Sequence, residues 1–369
     1  MNNIEDFYSD YGNPPEFLTS QYKKFLEGNA FKTPKGVQRY AEANIPFEIK
    51  EEWVSDIKLN ILMAHFKPFK NELDALDYPV FLSKIWPNSN IHLTYDKSPK
   101  IYPPSFTIKD GKIKQIDKLL PSYDIIIGRS GVLSVMANRP ETSKIPSRSK
   151  FKVQMRSMGY HRNTIGYDLI FKDEYVSPPP SPVYRNNALQ VLNSTKKRKV
   201  ILFAGSLSGW KNQQSFIEML DPDLCKDFSF LFLGKGPKAR AVSQRCKEKG
   251  FRHYMGWANH AYMPFFTSIS RLNVNNTDSR AWGQPYDPNP RVLGEAAVSN
   301  THSICSKLTL FNNDLNNYVT SYDHECTSSL NRVFDQSLRI DCSIYNKEFK
   351  TLEEKCYEIT QAILTHFFK

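Results

Sequence analysis

The sequence lacks the closely spaced cysteines that hold zinc or carry out dithiol redox chemistry. Its six cysteines all lie in the second half of the 369-residue chain, and no two have C-x-x-C spacing. Because this distribution does not resemble a disulfide framework, we expect free thiols in a reducing, cytoplasmic compartment. We also expect no metal site.

Long apolar runs are absent as well. The longest, such as Phe228–Leu233, are far shorter than the roughly 20 residues that span a bilayer. The first thirty residues carry five acidic side chains and lack the apolar core of a signal peptide. We therefore expect a protein without a transmembrane segment, either soluble or in peripheral contact with a membrane.

Nucleic-acid-binding motifs are missing, whether helix-turn-helix, zinc-finger or RNA-recognition patterns. The formal net charge is nevertheless +11, and such a surface attracts diphosphates, nucleic acid or acidic lipid headgroups alike. The basic run Lys196–Lys199 is either a nucleic-acid or localisation signal or a solvated approach to a strand. Without a motif, we expect no nucleic-acid partner.

The chain does contain short, non-alternating apolar runs separated by helical or loop stretches. Such runs are typical of parallel strands that are buried on both faces. The predicted strands are Lys58–His65, Tyr123–Gly128, Phe151–Met155, Tyr167–Phe171, Val200–Ala204, Phe228–Leu233 and His253–Met255. The pattern therefore predicts an α/β fold.

A proline-rich stretch, Ser177–Pro182, cannot be a helix or a central strand and marks a linker. We therefore divide the chain into a first domain (1–185), a second domain (186–345) and a final helix (346–369). The apolar stripe of the final helix consists of Leu352, Cys356, Ile359 and Ile363.

The loop after the predicted strand Val200–Ala204 is a candidate anion site. Gly205 begins a tight turn that ends at Lys211, and a helical pattern starts near Asn212. The N–H groups and positive dipole at the start of a helix attract anions, and Lys211 adds a full charge. The alternative is an ordinary strand-turn-helix connection with an exposed lysine.

Three further segments follow in the second domain. A second glycine turn begins at Gly234, and Trp257 follows Gly256 at the end of another predicted strand. Trp257 either stacks on a base or packs in the core. Farther on, the spacing Asp287-x7-Glu295 includes prolines that suit a helix entry, so Arg291, four residues before Glu295, shares its helix face.

Together, residues 199–305 resemble the donor-binding half of group 1 glycosyltransferases, the retaining family 4 and its close relatives. The resemblance implies an α/β fold of GT-B type: two Rossmann-like, doubly wound domains that face a cleft, with the C-terminal helix packed back on the first domain. The remainder of the chain resembles the family only in the order of its elements. The residues that the resemblance implies as binding the nucleotide sugar are Gly205, Ser206, Lys211, Gly234, Gly256, Trp257, Arg291 and Glu295.

The resemblance also implies individual roles. Lys211 binds the donor diphosphate, but Ser206 stands where the family usually has an arginine. Glu295 accepts hydrogen bonds from the ribose hydroxyls. Arg291 either supplies the diphosphate charge missing at Ser206 or simply pairs with Glu295. Asp287 either lies beside the donor sugar or is a turn residue before a proline.

The first domain offers fewer candidates. By order of strands, His161 occupies the place where family members set a histidine beside the donor sugar, unless it is an ordinary surface or core residue. Arg129, Ser130 and Gly131 follow a strand and could line the acceptor side, and His65 ends another strand. The candidate catalytic residues are His161, Lys211, Arg291 and Asp287.

The implied activity is transfer of a hexose from a UDP- or GDP-sugar to a hydroxyl of a glycan or glycoconjugate, with retention of configuration. In the family mechanism the departing phosphate takes the acceptor proton while Lys211, Arg291 and the helix start stabilise its charge. No Asp-x-Asp metal motif is present, so neither metal nor other cofactor is expected. A sugar epimerase or phosphorylase on the same fold is the alternative, and a basic nucleic-acid-binding protein is a third.

Overall fold

The computed structural model describes residues 3–20, 47–65, 74–95, 105–129, 142–155, 166–171, 180–282, 287–288, 290–311, 313–341 and 350–369, with Leu133 and Met136. The chain divides into two compact units. The first unit comprises residues 23–183 and 351–369, and the second unit comprises residues 1–22 and 184–350. Each contains one main β-sheet in which parallel pairing dominates.

Helices are distributed over both units. Numbered along the chain, they are α1 (Ile4–Tyr11), α2 (Asp74–Ile85), α3 (Lys144–Arg148), α4 (Pro182–Ser194), α5 (Gln213–Met219), α6 (Pro222–Cys225), α7 (Ala239–Glu248), α8 (Met263–Ile269), α9 (Arg291–Val298), α10 (Thr327–Arg339) and α11 (Leu352–Phe367). Short 3₁₀ turns occupy Glu51–Trp53, Gly209–Lys211, His260–Tyr262, Ser279–Trp282 and Asn313–Leu315.

The first unit is built on a seven-stranded sheet. Its strands are β1 (Asn60–His65), β2 (Asn90–Tyr95), β3 (Ser105–Lys109), β4 (Lys112–Ile116), β5 (Ile125–Arg129), β6 (Phe151–Met155) and β7 (Leu169–Ile170). They lie in the order β4-β3-β2-β1-β5-β6-β7, with β3 and β4 as an antiparallel hairpin at one edge. The hairpin turn places Asp110 and Gly111 at positive φ angles of 48° and 70°, which an Asp-Gly turn accommodates readily.

Helix α11 belongs to the core of the first unit. Its start is a capping box in which the Thr351 hydroxyl accepts from the Glu354 N–H and the Glu354 carboxylate accepts from the Thr351 N–H. On the same helix, Thr360 is hydrogen-bonded to Tyr78 of α2 at 3.0 Å. The buried apolar stripe consists of Leu352, Cys356, Ile359 and Ile363.

The second unit is built on a six-stranded parallel sheet. Its strands are β8 (Val200–Ala204), β9 (Ser229–Leu233), β10 (Arg252–Gly256), β11 (Leu272–Asn275), β13 (His302–Ser306) and β15 (Val319–Tyr322), beside a short ladder of β12 (Asp287–Pro288) and β14 (Thr309–Leu310). The spatial order is β10-β9-β8-β11-β13-β15, so the chain moves towards one edge of the sheet up to β10 and towards the other edge from β11 onward. This reversal of strand order lies between β8 and β11, although the two strands are parallel. Ligands of such sheets bind at that reversal, outside the carboxyl ends of the strands.

Helix α1 packs on the second unit, although it precedes the first unit in sequence. Phe7 is fully buried, with its ring 5.4 Å from that of Tyr254 on β10 and 5.9 Å from that of Phe266 on α8. Asp10 also forms an ion pair with Arg252 at 2.8 Å. The sequence division places residues 1–185 in the first domain, whereas these contacts group α1 with the second unit.

The basic run before β8 is used within the fold. Lys197 donates to the carbonyls of Thr267 at 3.4 Å and Ser299 at 3.0 Å, where α8 and α9 end, and also to the Thr301 hydroxyl. A cation at a helix C-terminus satisfies carbonyls that have no partner within the helix. Lys199 pairs with Asp227 at 3.2 Å. These contacts favour the interpretation of the run as an approach to a strand.

The predicted α/β fold class is confirmed. Each of the seven predicted strands coincides with an observed strand, and the predicted and observed ends differ by no more than two residues. Strands β8 and β9 are buried along almost their whole length, which explains why their sequences do not alternate. Among the described residues, no helix has the length and apolar character needed to cross a bilayer.

Candidate active site

The two predicted glycine turns lie against each other at the carboxyl ends of β8 and β9. The Gly205 N–H donates to the Leu233 carbonyl at 2.9 Å. A Cβ atom at Gly234 would lie 1.7 Å from the Gly205 carbonyl oxygen, and one at Gly236 would lie 2.1 Å from that of Leu207. Only glycine allows this approach of two backbones, so both turns are shaped by packing as well as by any ligand.

The loop from Gly205 enters α5 through a 3₁₀ turn. Asn212 follows with a left-handed φ of 49°, and the helix begins at Gln213, close to the predicted start. Gln213 donates to the Ser206 carbonyl at 3.0 Å and fixes the loop. Because α5 has only seven residues, its dipole is small, and side chains must supply most of the positive charge for an anion here.

Lys211 lies in a cluster of oxygen acceptors that we call the Lys211 cluster: Lys211, Asn275, Thr277 and Asp287. The ammonium donates to Thr277 Oγ1 at 3.0 Å, Asp287 Oδ2 at 3.3 Å and Asn275 Oδ1 at 3.4 Å. It also lies 4.3 Å from the centre of the Trp210 ring. Three acceptors match the three N–H bonds of an ammonium, so a phosphate oxygen would have to replace or share one of them.

The Lys211 cluster is shielded from solvent, with side-chain exposures of 15% for Lys211 and 12% for Asp287. Burial lowers the pKa of Lys211 from its ordinary value, while the charge of Asp287 opposes this shift. A shielded ion pair interacts more strongly than one in water. The same shielding would strengthen attraction between Lys211 and an anion at this edge of the sheet.

Asp287 is held by the ladder of β12 and β14. Its N–H donates to the Leu308 carbonyl at 2.6 Å, and its carboxylate accepts from the Asn275 amide at 3.3 Å as well as from Lys211. Asn275 ends β11, on the other side of the strand reversal from the Lys211 loop. The first acid of the Asp287-x7-Glu295 spacing is therefore a partner of Lys211 rather than an isolated turn residue.

Glu295 is the centre of a second group, the Glu295 cluster, which comprises Glu295, His260 and Arg291. Its Oε1 atom is 2.8 Å from His260 Nε2 and 3.0 Å from Arg291 Nε, while its side chain is only 5% exposed. Arg291 and Glu295 share one face of α9, and His260 comes from the 3₁₀ turn before α8. Arg291 thus pairs with Glu295, the second of its two predicted roles.

The ionisation of Glu295 depends on these two neighbours. Burial alone raises the pKa of its carboxyl group, but His260 and Arg291 outweigh burial and leave the pKa below its ordinary value. The group is therefore an ionised acceptor at neutral pH. An ionised carboxylate at a fixed depth can accept hydrogen bonds from neutral hydroxyls.

Trp257 lies beyond the carboxyl end of β10. Its side chain is 55% exposed, and Lys235 Nζ is 5.3 Å from its ring centre. Gly256 before it is in contact with α1, because a Cβ there would lie 2.8 Å from that of Ile4. The exposed indole is thus available for stacking, and Gly256 is explained by packing against α1.

Several predicted residues lie outside the described residues. His161, Ser130 and Gly131 are among them, and so is the side chain of Arg129, whose backbone ends β5. The backbone of His65 ends β1, but its side chain is also not among those that the structure describes. Their catalytic and acceptor-side roles stay predictions. In the described ranges, no three His, Cys, Asp or Glu side chains are grouped as metal ligands would be.

Three residues of these clusters lie outside the motifs of the sequence: Asn275, Thr277 and His260. The first two are polar residues at the end of a buried strand, and buried amides and hydroxyls require partners. Polar residues at the end of a buried strand therefore indicate a polar cluster in the sequence itself. His260 lies 35 positions from Glu295, so only the tertiary fold brings the two together.

Comparison with known proteins identifies the fold. No family model matches the sequence, and no curated protein matches it. Among solved structures, AviGT4, a glycosyltransferase involved in avilamycin A biosynthesis, has 10% sequence identity and covers 84% of this chain and 98% of its own, with a TM-score of 0.54. This likeness and the two parallel-dominated sheets show that the chain has the GT-B fold, as the sequence predicts.

Two further solved structures, the first of them a glycosyltransferase, have lower TM-scores. The enzyme from Rickettsia africae ESF-5 has 12% identity, covers 84% of this chain and 94% of its own, and has a TM-score of 0.47. HepE from Anabaena, solved with UDP-glucose, has 12% identity, covers 84% of this chain and 97% of its own, and has a TM-score of 0.45.

Proposed function

We propose that this protein is a retaining, metal-independent glycosyltransferase. It moves a hexose from a nucleoside diphosphate sugar, with UDP- and GDP-sugars as the first candidates, to a hydroxyl of a glycan or glycoconjugate. Its proposed place of action is the cytoplasm or the surface of a membrane that faces it, and nucleic acid is not a partner.

The observation that carries the proposal is the pairing of both acids in Asp287-x7-Glu295 with cations. Lys211 contacts Asp287 at 3.3 Å, and Arg291 contacts Glu295 at 3.0 Å. The first pair lies at the carboxyl ends of β8 and β11, where this type of sheet binds ligands. The arrangement provides a cation for a diphosphate and a carboxylate for hydroxyl groups within one GT-B unit.

In the proposed reaction, the acceptor hydroxyl oxygen forms a bond to the anomeric carbon as the bond from that carbon to the phosphate oxygen breaks. The acceptor proton passes to the departing phosphate on the same face, so configuration is retained. Lys211 stabilises the charge that develops on the phosphate because its ammonium is fixed before the reaction begins. Trp257 stacks on the base, and Glu295 accepts from the ribose.

Thermal stability in the presence of candidate donors tests the substrate class. We expect one of UDP-, GDP- or ADP-sugars, but no CMP-sugar with its single phosphate, to raise the melting temperature, since a ligand at 100 times its Kd stabilises a protein by about 2.7 kcal/mol. Free nucleoside serves as the control for the diphosphate. A protein that none of these compounds stabilises would contradict the proposed donor class.

Product analysis tests the reaction itself. We expect proton NMR of the first-formed product to show the anomeric coupling of the donor sugar, and we expect full activity in EDTA, because side-chain cations take the place of a metal. An inverted product, or activity that returns only with added divalent metal, contradicts the mechanism. An isomerised donor instead of a glycoside would identify an epimerase, and a sugar phosphate would identify a phosphorylase.

A further inference from the structure

We propose that His260 is a positioning residue that fixes the Glu295 carboxylate for the ribose hydroxyls of the nucleotide. The inference deepens the proposed function and rests on it. His260 belongs to none of the predicted motifs and lies on the 3₁₀ turn His260–Tyr262, before the Asp287-x7-Glu295 segment.

Two donors from different elements hold the same carboxylate oxygen. His260 Nε2 lies 2.8 Å from Glu295 Oε1, and Arg291 Nε lies 3.0 Å from it. A carboxylate can accept about four hydrogen bonds, so these two contacts fix its plane and leave capacity for a diol. Arg291 alone, four residues before Glu295 on α9, would leave the carboxylate held from a single side.

His260 is itself held in place. It begins a 3₁₀ turn that is capped by Asn259, whose side chain accepts from the Ala261 N–H at 3.0 Å. The imidazole ring lies 6.0 Å from the ring of Tyr184, whose hydroxyl is hydrogen-bonded to Thr267 at 2.9 Å. A side chain supported in this way can orient its neighbour, because its own freedom is already restricted.

The position of His260 in the chain connects two parts of a nucleoside site. It follows Trp257 by three residues in the segment after β10. Its side chain is 53% exposed, whereas that of Glu295 is 5% exposed. His260 therefore lies at the accessible margin of the Glu295 cluster, on the same segment as the indole proposed to stack on the base.

Two substitutions separate hydrogen bonding from packing. His260→Gln retains an N–H donor near the position of Nε2 but loses the ring, whereas His260→Phe retains a ring beside Tyr184 but loses the donor. Calorimetric titration of each variant and the wild type would use UDP and GDP, each compared with its 2′,3′-dideoxy analogue. The preference for the intact ribose is the readout, because a merely structural role for His260 would not change it.

We expect the wild type to prefer one intact nucleotide over its dideoxy analogue by about tenfold or more, as for hydrogen bonds to a charged group. His260→Phe should lose most of that preference, with affinity for the dideoxy analogue within about twofold of wild type, and His260→Gln should retain most of it. Equal weakening of both ligands in His260→Phe, or an unchanged preference, overturns the role of His260 while leaving the proposed function intact. A wild type that binds neither nucleotide overturns both.

Discussion

The two charged clusters of the second unit have opposite polarity. In the Lys211 cluster a shielded cation is surrounded by acceptor oxygens, and in the Glu295 cluster a buried anion is surrounded by donors. A ligand must complement what each cluster presents, so the first suits an anion and the second suits hydroxyl groups. A nucleoside diphosphate carries both, and its diphosphate and ribose are separated by a single methylene.

The comparison also shows why neither acid is interchangeable with the other. Asp287 lowers the net charge around Lys211, so its removal would free a cation, whereas removal of Glu295 would leave two donors facing each other. The two clusters should therefore respond differently to the same kind of substitution. Five predictions test this difference.

The largest effect is expected for Glu295→Ala, which should abolish donor binding. It should also destabilise the protein by about 1–3 kcal/mol, because it removes the buried carboxylate that the partly exposed Arg291 contacts at 3.0 Å. Calorimetry measures the first effect and urea unfolding the second. Glu295→Gln keeps the shape and one acceptor oxygen, so we expect partial binding. A folded Glu295→Ala protein with wild-type affinity would remove the ribose assignment.

Lys211→Met should weaken UDP binding by about tenfold or more while changing uridine binding little, because only the diphosphate carries the charge that Lys211 attracts. Lys199→Met serves as the control, because it removes an exposed lysine that lies just before β8 and outside the Lys211 cluster.

A double variant then distinguishes the two clusters. If Arg291 acts on the diphosphate with Lys211, the losses in Lys211→Met and Arg291→Met should be non-additive. If Arg291 acts through Glu295, as its 3.0 Å contact favours, the losses should add. Equal losses for uridine and UDP in Lys211→Met would contradict the diphosphate role.

Gly234→Ala should destabilise the second unit by about 1–3 kcal/mol, because the added Cβ would overlap the Gly205 carbonyl oxygen and must displace the Lys211 loop. Diphosphate binding should fall with it, while the preference for an intact ribose should persist. Gly209→Ala lies in the same loop but meets no atom within 4 Å, so we expect near-wild-type stability. Urea unfolding of both variants provides the test, and equal stabilities would contradict the close approach.

The smallest effect is the pH dependence of stability. The pKa of Glu295 is lowered in the folded protein, so its stabilising contribution is complete above the unfolded value of about 4.3 and is lost as the pH falls through the lower folded value. Below pH 4.3 the wild type should therefore lose up to about 1.4 kcal/mol per pH unit more than Glu295→Gln. Parallel slopes in urea titrations at pH 5, 4 and 3 would contradict this.

The sequence indicates those parts of the fold that local patterns determine. Val200–Ala204 has a continuous apolar run because β8 is buried on both faces, and Leu352 to Ile363 form a stripe because one face of α11 is buried. By contrast, β11 contains two asparagines among its four residues and shows no apolar run. Its polar side chains have partners in other elements, such as the Ser303 hydroxyl, which accepts from the Asn273 side-chain N–H at 2.9 Å.

The hairpin of β3 and β4 was within reach of sequence reasoning. Asp110-Gly111 between two strands is a strong hairpin signal, although the flanking lysines obscure the apolar alternation of the two strands. The residues of the candidate site likewise fall into those that sequence spacing indicates and those that only packing brings together. Spacing along the chain indicates Lys211, Asp287 and Glu295, but the contact between His260 and Glu295 depends on the packing of a turn against α9.

The docking of α1 on β10 has a consequence during protein synthesis. Asp10 and its partner Arg252 are 242 positions apart, so the partner strand is made long after the helix. At roughly 5–20 residues per second, that interval is about 12 to 48 seconds. Throughout it the aromatic face of Phe7, Tyr8 and Tyr11 has no native surface to cover it. We therefore expect the second unit to reach its native state only after translation has passed β10.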